Sequence, residues 1–298
     1  MSKRASAQRA DKIAAICLTA IVALICSLLV LLVGYILVKG VSHLSPQFLF
    51  GKSEAFRPGG GIGPQLFNSF YILILTLLIS VPLSLGAAIY LTQYAPQNKI
   101  TDFIKLMIET LSSLPSIVVG LFGFLLFVLK FGWGFSILSG ALALTMFNLP
   151  ILVRVMQQSL EAVPAYQRDA GLALGLSRWE SCLYILLPAA LPGILTGLIL
   201  SAGRVFGEAA ALIFTAGQSA PLLDFSNFDI FSPSCPWNIM RPAETLAVHI
   251  WKVNSEGLIP DLDIVSDGTA AVLMLCILFF NLGARALGKR LQKKVTAE

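Results

Sequence analysis

Six long apolar segments constrain what this chain can fold into more than any other feature. Each is long enough to cross the hydrocarbon core of a bilayer, which takes roughly 17–25 residues as a helix. The chain has 298 residues, of which 56% are hydrophobic and 12% are charged, whereas a soluble domain is about 25% charged. The sequence therefore predicts an all-α, polytopic membrane protein with six transmembrane helices, near residues 13–38, 66–92, 106–129, 133–153, 183–214 and 268–284.

The basic residues indicate how these helices are oriented, because cytoplasmic loops of membrane proteins carry an excess of Lys and Arg. With both termini inside, 14 basic residues fall in inside segments and six in outside segments, and Arg204 is left over within the fifth span. We therefore predict a multi-pass protein whose termini are both cytoplasmic. The net charge of +5 follows from this topology, so we predict no nucleic-acid partner.

The sequence carries no motif of catalysis. GxSxG, HExxH and P-loop patterns are absent, and the Gly-rich stretch 58–64 lacks the Lys-Ser/Thr pair of a phosphate-binding loop, so we interpret it as a flexible turn. The five cysteines show no CxxC spacing and only Cys235 faces outward, which predicts packing roles. His43 and His249 have no second ligand nearby in sequence, so we predict no metal site.

Local residue chemistry predicts three further details. Pro115 and Pro150 each predict a kink, in the third and fourth spans. Lys105 and Glu109 are four residues apart, which favours an ion pair at the inner surface. The outer loop 215–267 carries seven acidic residues against two basic ones, and it is either a merely solvated loop or a docking surface for a soluble partner. Its stretch 245–251 is a short surface helix or strand.

The most informative segment is YQRDAGLALGLSRWESCLYILLP, residues 166–188, on the cytoplasmic side. Asp169 is expected near a helix start, and the small residues Ala170 and Gly171 would let another protein approach the backbone. Gly175 permits a bend, and Pro188 fits the first turn of the following membrane helix. The segment predicts a helix–turn–helix with one apolar stripe, formed by Leu172, Leu176, Trp179 and Leu183. The alternative is an ordinary amphipathic loop.

This segment resembles the EAA loop of ABC importer permeases, in which Glu-Ala-Ala, three residues, Gly, nine residues and Ile-x-Leu-Pro follow one another. Here Asp and Gly replace the first and third letters, and the spacing is complete. The resemblance implies the type I importer permease fold and docking of residues 166–184 on two separate ATP-binding subunits. It implies that ATP is bound by those subunits, so this chain needs no cofactor. The implied coupling residues are Asp169, Ala170, Gly171, Gly175, Ile185, Leu187 and Pro188.

Three further stretches, 60–95, 203–217 and 242–251, resemble phosphate importer permeases, the second matching the A-type subunit. That likeness implies that Arg204 and Glu208 are essential for transport. From the residues alone, the two groups lie four positions apart, on one helical face, and can pair with each other. Arg204 then either offers a fork of N–H donors to phosphate oxygens, with Glu208 holding it between substrates, or forms a neutral structural bridge with Glu208.

The likeness implies a permease in the bacterial cytoplasmic membrane, working with a second permease subunit and an external phosphate-binding protein. We expect residues 1–65 to hold the first helix and its outer loop, 66–288 the permease core with a coupling loop at 164–184, and 289–298 a basic tail. The alternatives are the sister permease subunit, a permease for another oxyanion such as sulfate, molybdate or phosphonate, or for a different solute, and less readily a channel or membrane-embedded enzyme.

Overall fold

The computed structural model describes residues 2–53, 58–219, 221–256 and 260–296, and the regular structure of these residues is helical throughout. The helices are α1 (Ser2–Val41), α2 (Pro46–Phe50), α3 (Gly63–Ile89), α4 (Lys99–Ser112), α5 (Ser116–Gly123), α6 (Ile137–Glu161), α7 (Ala165–Ala173), α8 (Arg178–Ser181), α9 (Leu187–Phe206), α10 (Ala210–Thr215), α11 (Leu246–Glu256) and α12 (Leu262–Thr296). Three π-helical turns, Tyr90–Tyr94, Phe124–Lys130 and Cys182–Leu186, extend α3 and α5 and join α8 to α9.

Five of these helical runs are long and apolar enough to cross a membrane, and a sixth span is obtained if one bent helix pair is counted as a single crossing. The prediction of an all-helical protein with six apolar segments is therefore confirmed, but the third segment is not a continuous helix. It consists of α4 and of α5 with its π-turn, which meet at an angle of 98°.

The break between α4 and α5 has a local cause at Ser112–Pro115. Proline disfavours helical geometry in the residue before it, and the hydroxyls of Ser112 and Ser113 donate to the carbonyls of Glu109 and Thr110, which competes with the helical hydrogen bonds. The kink predicted at Pro115 is thus a 98° break between two helices. Pro150, by contrast, lies within an uninterrupted α6.

The predicted ion pair between Glu109 and Lys105 is wrong. Glu109 Oε1 instead lies 3.1 Å from Nη1 of Arg154, on the neighbouring helix α6. The carboxylate thereby ties α4 to α6.

The centre of the bundle is formed by α3, α6 and α9. Small residues let α9 approach α6 closely: a Cβ added to Gly193 would lie 2.7 Å from Ser159 Oγ, and one added to Gly197 would lie 2.2 Å from Val155 Cγ1. Gly193 and Gly197 form a GxxxG motif, which is typical of close helix contacts in membranes. This motif is present in the sequence, but it was not among the features that we predicted.

The first and last long helices run antiparallel to each other. Lys39 near the end of α1 lies 3.6 Å from the carboxylate of Asp267 near the start of α12. A Cβ on Gly40 would lie 2.2 Å from the carbonyl oxygen of Asp267, so glycine is required at this crossing. The apolar window of α1 is otherwise unburied, and this face is left for lipid or another subunit.

Part of the loop 215–267 is buried, so the interpretation of a merely solvated loop is wrong for this part, while a docking surface on the exposed remainder stays a prediction. Glu244 and His249 are only 2% and 4% exposed. Glu244 accepts hydrogen bonds from Nε2 of Gln65 (3.1 Å) and pairs with Nδ1 of His249 (3.0 Å). Asn68 and the buried Arg241 extend this network. The stretch 245–251 lies largely in a helix, α11, whose first turn is buried.

Candidate functional site

The fifth span breaks at Gly207–Ala209, between α9 and α10, which places Arg204 and Glu208 on different elements. Arg204 belongs to the last turn of α9, whereas Glu208 lies in the break. Oε1 of Glu208 accepts a hydrogen bond from the backbone N–H of Ala211 at 3.3 Å. This carboxylate therefore caps α10, where it meets free N–H groups and the positive end of the helix dipole.

The predicted ion pair between Arg204 and Glu208 is wrong in this structure. The i, i+4 argument assumed one continuous helix, and the turn at Gly207 removes that premise. The Cζ atom of Arg204 lies instead 4.3 Å from the centroid of the Phe147 ring on α6, a cation–π contact. Because Arg204 is exposed and forms no ion pair among the described residues, its N–H fork is available for an oxyanion.

A polar contact between α6 and α9 lies beside the contact of Arg204 with Phe147. Asn148, next to Phe147, accepts a hydrogen bond through Oδ1 from Oγ of Ser201, which lies three residues before Arg204 on α9. Both side chains are buried, and Nδ2 of Asn148 has no hydrogen-bond partner among the described residues. The contact joins α6 to α9 one turn from Arg204, next to the contact of the guanidinium with Phe147.

The segment 166–188 forms two short helices around a turn, as the sequence predicts. Gly175 has φ of +88°, a left-handed conformation that residues with a Cβ rarely adopt. The side chain of Ser177 accepts from the N–H of Glu180 and the Glu180 carboxylate accepts from the N–H of Ser177, a capping box that starts α8. The helical run then continues from Arg178 through Leu187 and Pro188 to Phe206.

Two expectations about this segment need correction. Asp169 lies in the middle of α7 rather than near its start, and its carboxylate pairs with Nε of the adjacent Arg168 at 3.3 Å. Gly171 is buried within the chain, where an added Cβ would lie 2.4 Å from Cδ1 of Ile185. The small size of Gly171 therefore allows α7 to pack on the π-turn before α9, rather than letting another protein approach. Ala170 is exposed.

The outward face of the segment is apolar, but its residues differ from the predicted stripe. Leu172 and Trp179 are exposed as the stripe requires, whereas Leu176 and Leu183 are half-buried. The most exposed large side chains are Leu174 (85%), Tyr184 (71%) and Tyr166 (70%). An exposed cluster of this kind indicates a protein contact surface. A hydrophobic stripe drawn on one helix could not identify these residues, because Leu174 lies in the turn after α7 and Tyr184 in the π-turn after α8.

The buried network of Glu244, His249 and Gln65 is a feature that sequence reasoning missed. Gln65 starts α3, and the other two residues lie 179 and 184 positions later. The available signal was a glutamate and a histidine within an otherwise apolar stretch, 242–251. This network anchors the loop 215–267 to the first turns of α3.

Comparison with known proteins adds a family to this geometry. Residues 80–297 match the model of the family described as binding-protein-dependent transport system inner membrane component. The chain is 55% identical over 275 residues to the Probable ABC transporter permease protein YqgI of Bacillus subtilis (strain 168), covering 92% of this chain and 94% of the relative.

One further relative and one solved structure are also similar to this chain. It is 34% identical to the Phosphate transport system permease protein PstA of Xylella fastidiosa (strain 9a5c), covering 76% of this chain and 75% of that protein. A solved structure of the MetNI methionine ABC transporter in an inward-facing conformation matches 78% of this chain and 94% of its own chain, with a TM-score of 0.56 at 14% identity.

Proposed function

Because the chain belongs to the family of binding-protein-dependent transport system inner membrane components, we propose that it is the A-type permease subunit of an ATP-driven importer of inorganic phosphate. The family makes it a membrane permease component of ABC importers rather than an enzyme. The phosphate assignment is supported by relatives named PstA at 32% to 34% identity over three quarters or more of this chain.

The observation that carries the substrate proposal is the guanidinium of Arg204. It lies at the end of α9, exposed, stacked on Phe147, and without an ion-pair partner within the described ranges. A guanidinium presents N–H donors in a fork that fits two oxygens of a phosphate group. Glu208 supports this arrangement by holding α10 in place beyond the break rather than by neutralising Arg204.

The path from ATP hydrolysis to Arg204 follows one helix. The helical run from Arg178 to Phe206 has 29 residues and is therefore roughly 44 Å long at about 1.5 Å per residue. Two ATP-binding subunits would dock on residues 166–184, whose exposed apolar side chains include Leu174 and Tyr166. A movement of these subunits would pull on α7 and α8, hinge at Gly175, and move Arg204 at the other end of the same run.

The remaining partners follow from the same mechanism. A second permease subunit would face the exposed side of Arg204 and complete the pathway, and an external phosphate-binding protein would deliver the substrate. In this scheme the protein lies in the bacterial cytoplasmic membrane with both termini in the cytoplasm. The core is then residues 66–288, between the N-terminal segment 1–65 and the basic tail 289–298.

The experiment is uptake of labelled phosphate by cells that lack their own importer and receive this chain with its genomic neighbours. We expect uptake that persists in excess sulfate or molybdate, and that falls at least tenfold in Arg204→Ala because the bidentate donor is lost. Arg285→Ala is the matched control, since Arg285 is exposed on α12 and forms no ion pair among the described residues. An assembled complex that hydrolyses ATP without importing phosphate would refute the substrate, and inhibition by another oxyanion would identify the alternative.

A further inference from the structure

A polar surface cavity lies between the segment 166–188 and the end of α3. Its volume is about 220 Å³, and it is lined by Gln93, Arg168, Leu172 and Arg178. Gln93 comes from the π-turn that ends α3, Arg168 from α7, and Arg178 is the first residue of α8. The π-turn after α3 and the two helices of the 166–188 segment therefore bring three side chains with nitrogen donors to one cavity.

These donors are largely unused. Within the described ranges, the side chains of Gln93 and Arg178 have no hydrogen-bond or ion-pair partner, and Arg168 pairs only through Nε with Asp169 at 3.3 Å. No carboxylate lines the cavity, and the carboxylate of Glu180 is already engaged by the N–H of Ser177. Arg178 has no ion-pair partner among the described residues, and Arg168 has only the exposed carboxylate of Asp169. This excess of positive charge favours an anionic ligand, and guanidinium forks fit phosphate oxygens in particular.

Two exposed tyrosines beside the cavity support a position at the level of the lipid headgroups. Tyr90 and Tyr94, in the same π-turn as Gln93, are exposed, and tyrosine side chains concentrate at membrane–water interfaces. Basic pockets at the cytoplasmic side of membrane helices suit phospholipid headgroups. Free inorganic phosphate in the cytoplasm offers the same oxygens.

We propose that this cavity binds a phosphate group, supplied either by an anionic phospholipid of the inner leaflet or by free inorganic phosphate. Arg168 and Arg178 lie on opposite sides of the hinge at Gly175, so one ligand held by both restricts the angle between α7 and α8. Gln93 ties the same ligand to the end of α3. An occupied site therefore stiffens the segment, and this consequence for coupling, though not the binding itself, rests on the proposed function.

Binding is tested on the full-length chain without any transport assay, so that its failure is distinct from failure of the proposed function. One arm measures the thermal unfolding midpoint in detergent with millimolar inorganic phosphate against sodium chloride of equal ionic strength. The other compares nanodiscs of phosphatidylcholine with nanodiscs that also contain phosphatidylglycerol. We expect one of these ligands to raise the midpoint, which identifies its source.

The variants Arg168→Gln and Arg178→Gln should weaken the apparent affinity roughly tenfold or more, the effect of losing one charge-assisted contact. Arg154→Gln, with the same charge change outside the cavity, should retain it. Gln93→Leu provides a charge-neutral variant if an arginine variant does not fold. The proposal is overturned if neither ligand protects the protein, if Arg154→Gln loses protection equally, or if bound ATP-binding subunits abolish it, because the arginines would then belong to that interface.

Discussion

The contact between α5 and α10 is close enough to make Gly120→Ala a quantitative test. A Cβ on Gly120 would lie 2.7 Å from Cα of Ala211 and 3.1 Å from its carbonyl oxygen. Carbon atoms pack best at about 3.5–4.0 Å, and no side chain can move aside, because both nearby atoms are backbone. The methyl group must therefore push α10 away by about 1 Å.

The expected free-energy change combines two opposing effects. Overpacking of this kind costs about 1–3 kcal/mol, while replacing glycine by alanine within a helix contributes about 1 kcal/mol of stability. Gly86→Ala in α3 isolates the second effect, because nothing lies within 4 Å of the added Cβ. Gly120→Ala should therefore be less stable than Gly86→Ala by about 1–3 kcal/mol.

The assay is reversible unfolding of the purified chain in detergent, with phosphate uptake measured in parallel. Because α10 begins directly after Glu208 and Ala209, a displaced α10 should also lower uptake in Gly120→Ala and leave it unchanged in Gly86→Ala. If the two variants unfold with equal free energies, α5 and α10 are not in backbone contact and the reasoning is wrong.

Three further changes test the outer network and the hinge. Glu244→Gln places an amide donor beside Gln65 Nε2 and His249, so it should cost about 1–3 kcal/mol of unfolding free energy; an unchanged value would mean that the carboxylate is not buried as seen. Gly175→Ala forces a side chain into φ of +88° at about 1–2 kcal/mol, and it should lower substrate-stimulated ATP hydrolysis of the complex more than Gly86→Ala does. Burial lowers the pKa of Arg241 to about 10. As the pH rises, the folded chain therefore releases this proton before the unfolded chain does, so the contribution of Arg241 to the free energy of unfolding should rise only above about pH 10. Between about pH 6 and 9, the difference in unfolding free energy between the unsubstituted chain and Arg241→Gln should not change with pH. A slope within that window would contradict the assigned burial.

The sequence predicted those features that depend on neighbouring residues. Apolar runs are local properties, and five of the six predicted spans lie in continuous helices of the structure, although the fifth ends eight residues early. Gly175 was identified as a bend, and its φ is positive, because the requirement for glycine lies in its own backbone. The helix–turn–helix at 166–188 was located from its turn residues and from the spacing of its apolar residues.

The predictions that failed relied on helices that the folded chain interrupts or on contacts between distant residues. Arg204 and Glu208 were paired by helical spacing, but Gly207 ends the helix between them. Gly171 was assigned to a partner, yet Ile185 occupies the space beside it. No local pattern shows which atom will lie next to a glycine.

The amino-acid sequence by itself determined that the chain is helical and rich in membrane-length apolar segments, and that residues 166–188 hold a helix–turn–helix, since hydropathy and turn chemistry act within a few residues. Only the tertiary structure decided that Glu244 meets Gln65 from 179 positions away, that Arg204 rests on Phe147, and that Arg168 and Arg178 share a cavity with Gln93. Such contacts depend on how whole helices pack, and a polar group must find its partner wherever the fold brings a donor or acceptor within hydrogen-bonding distance.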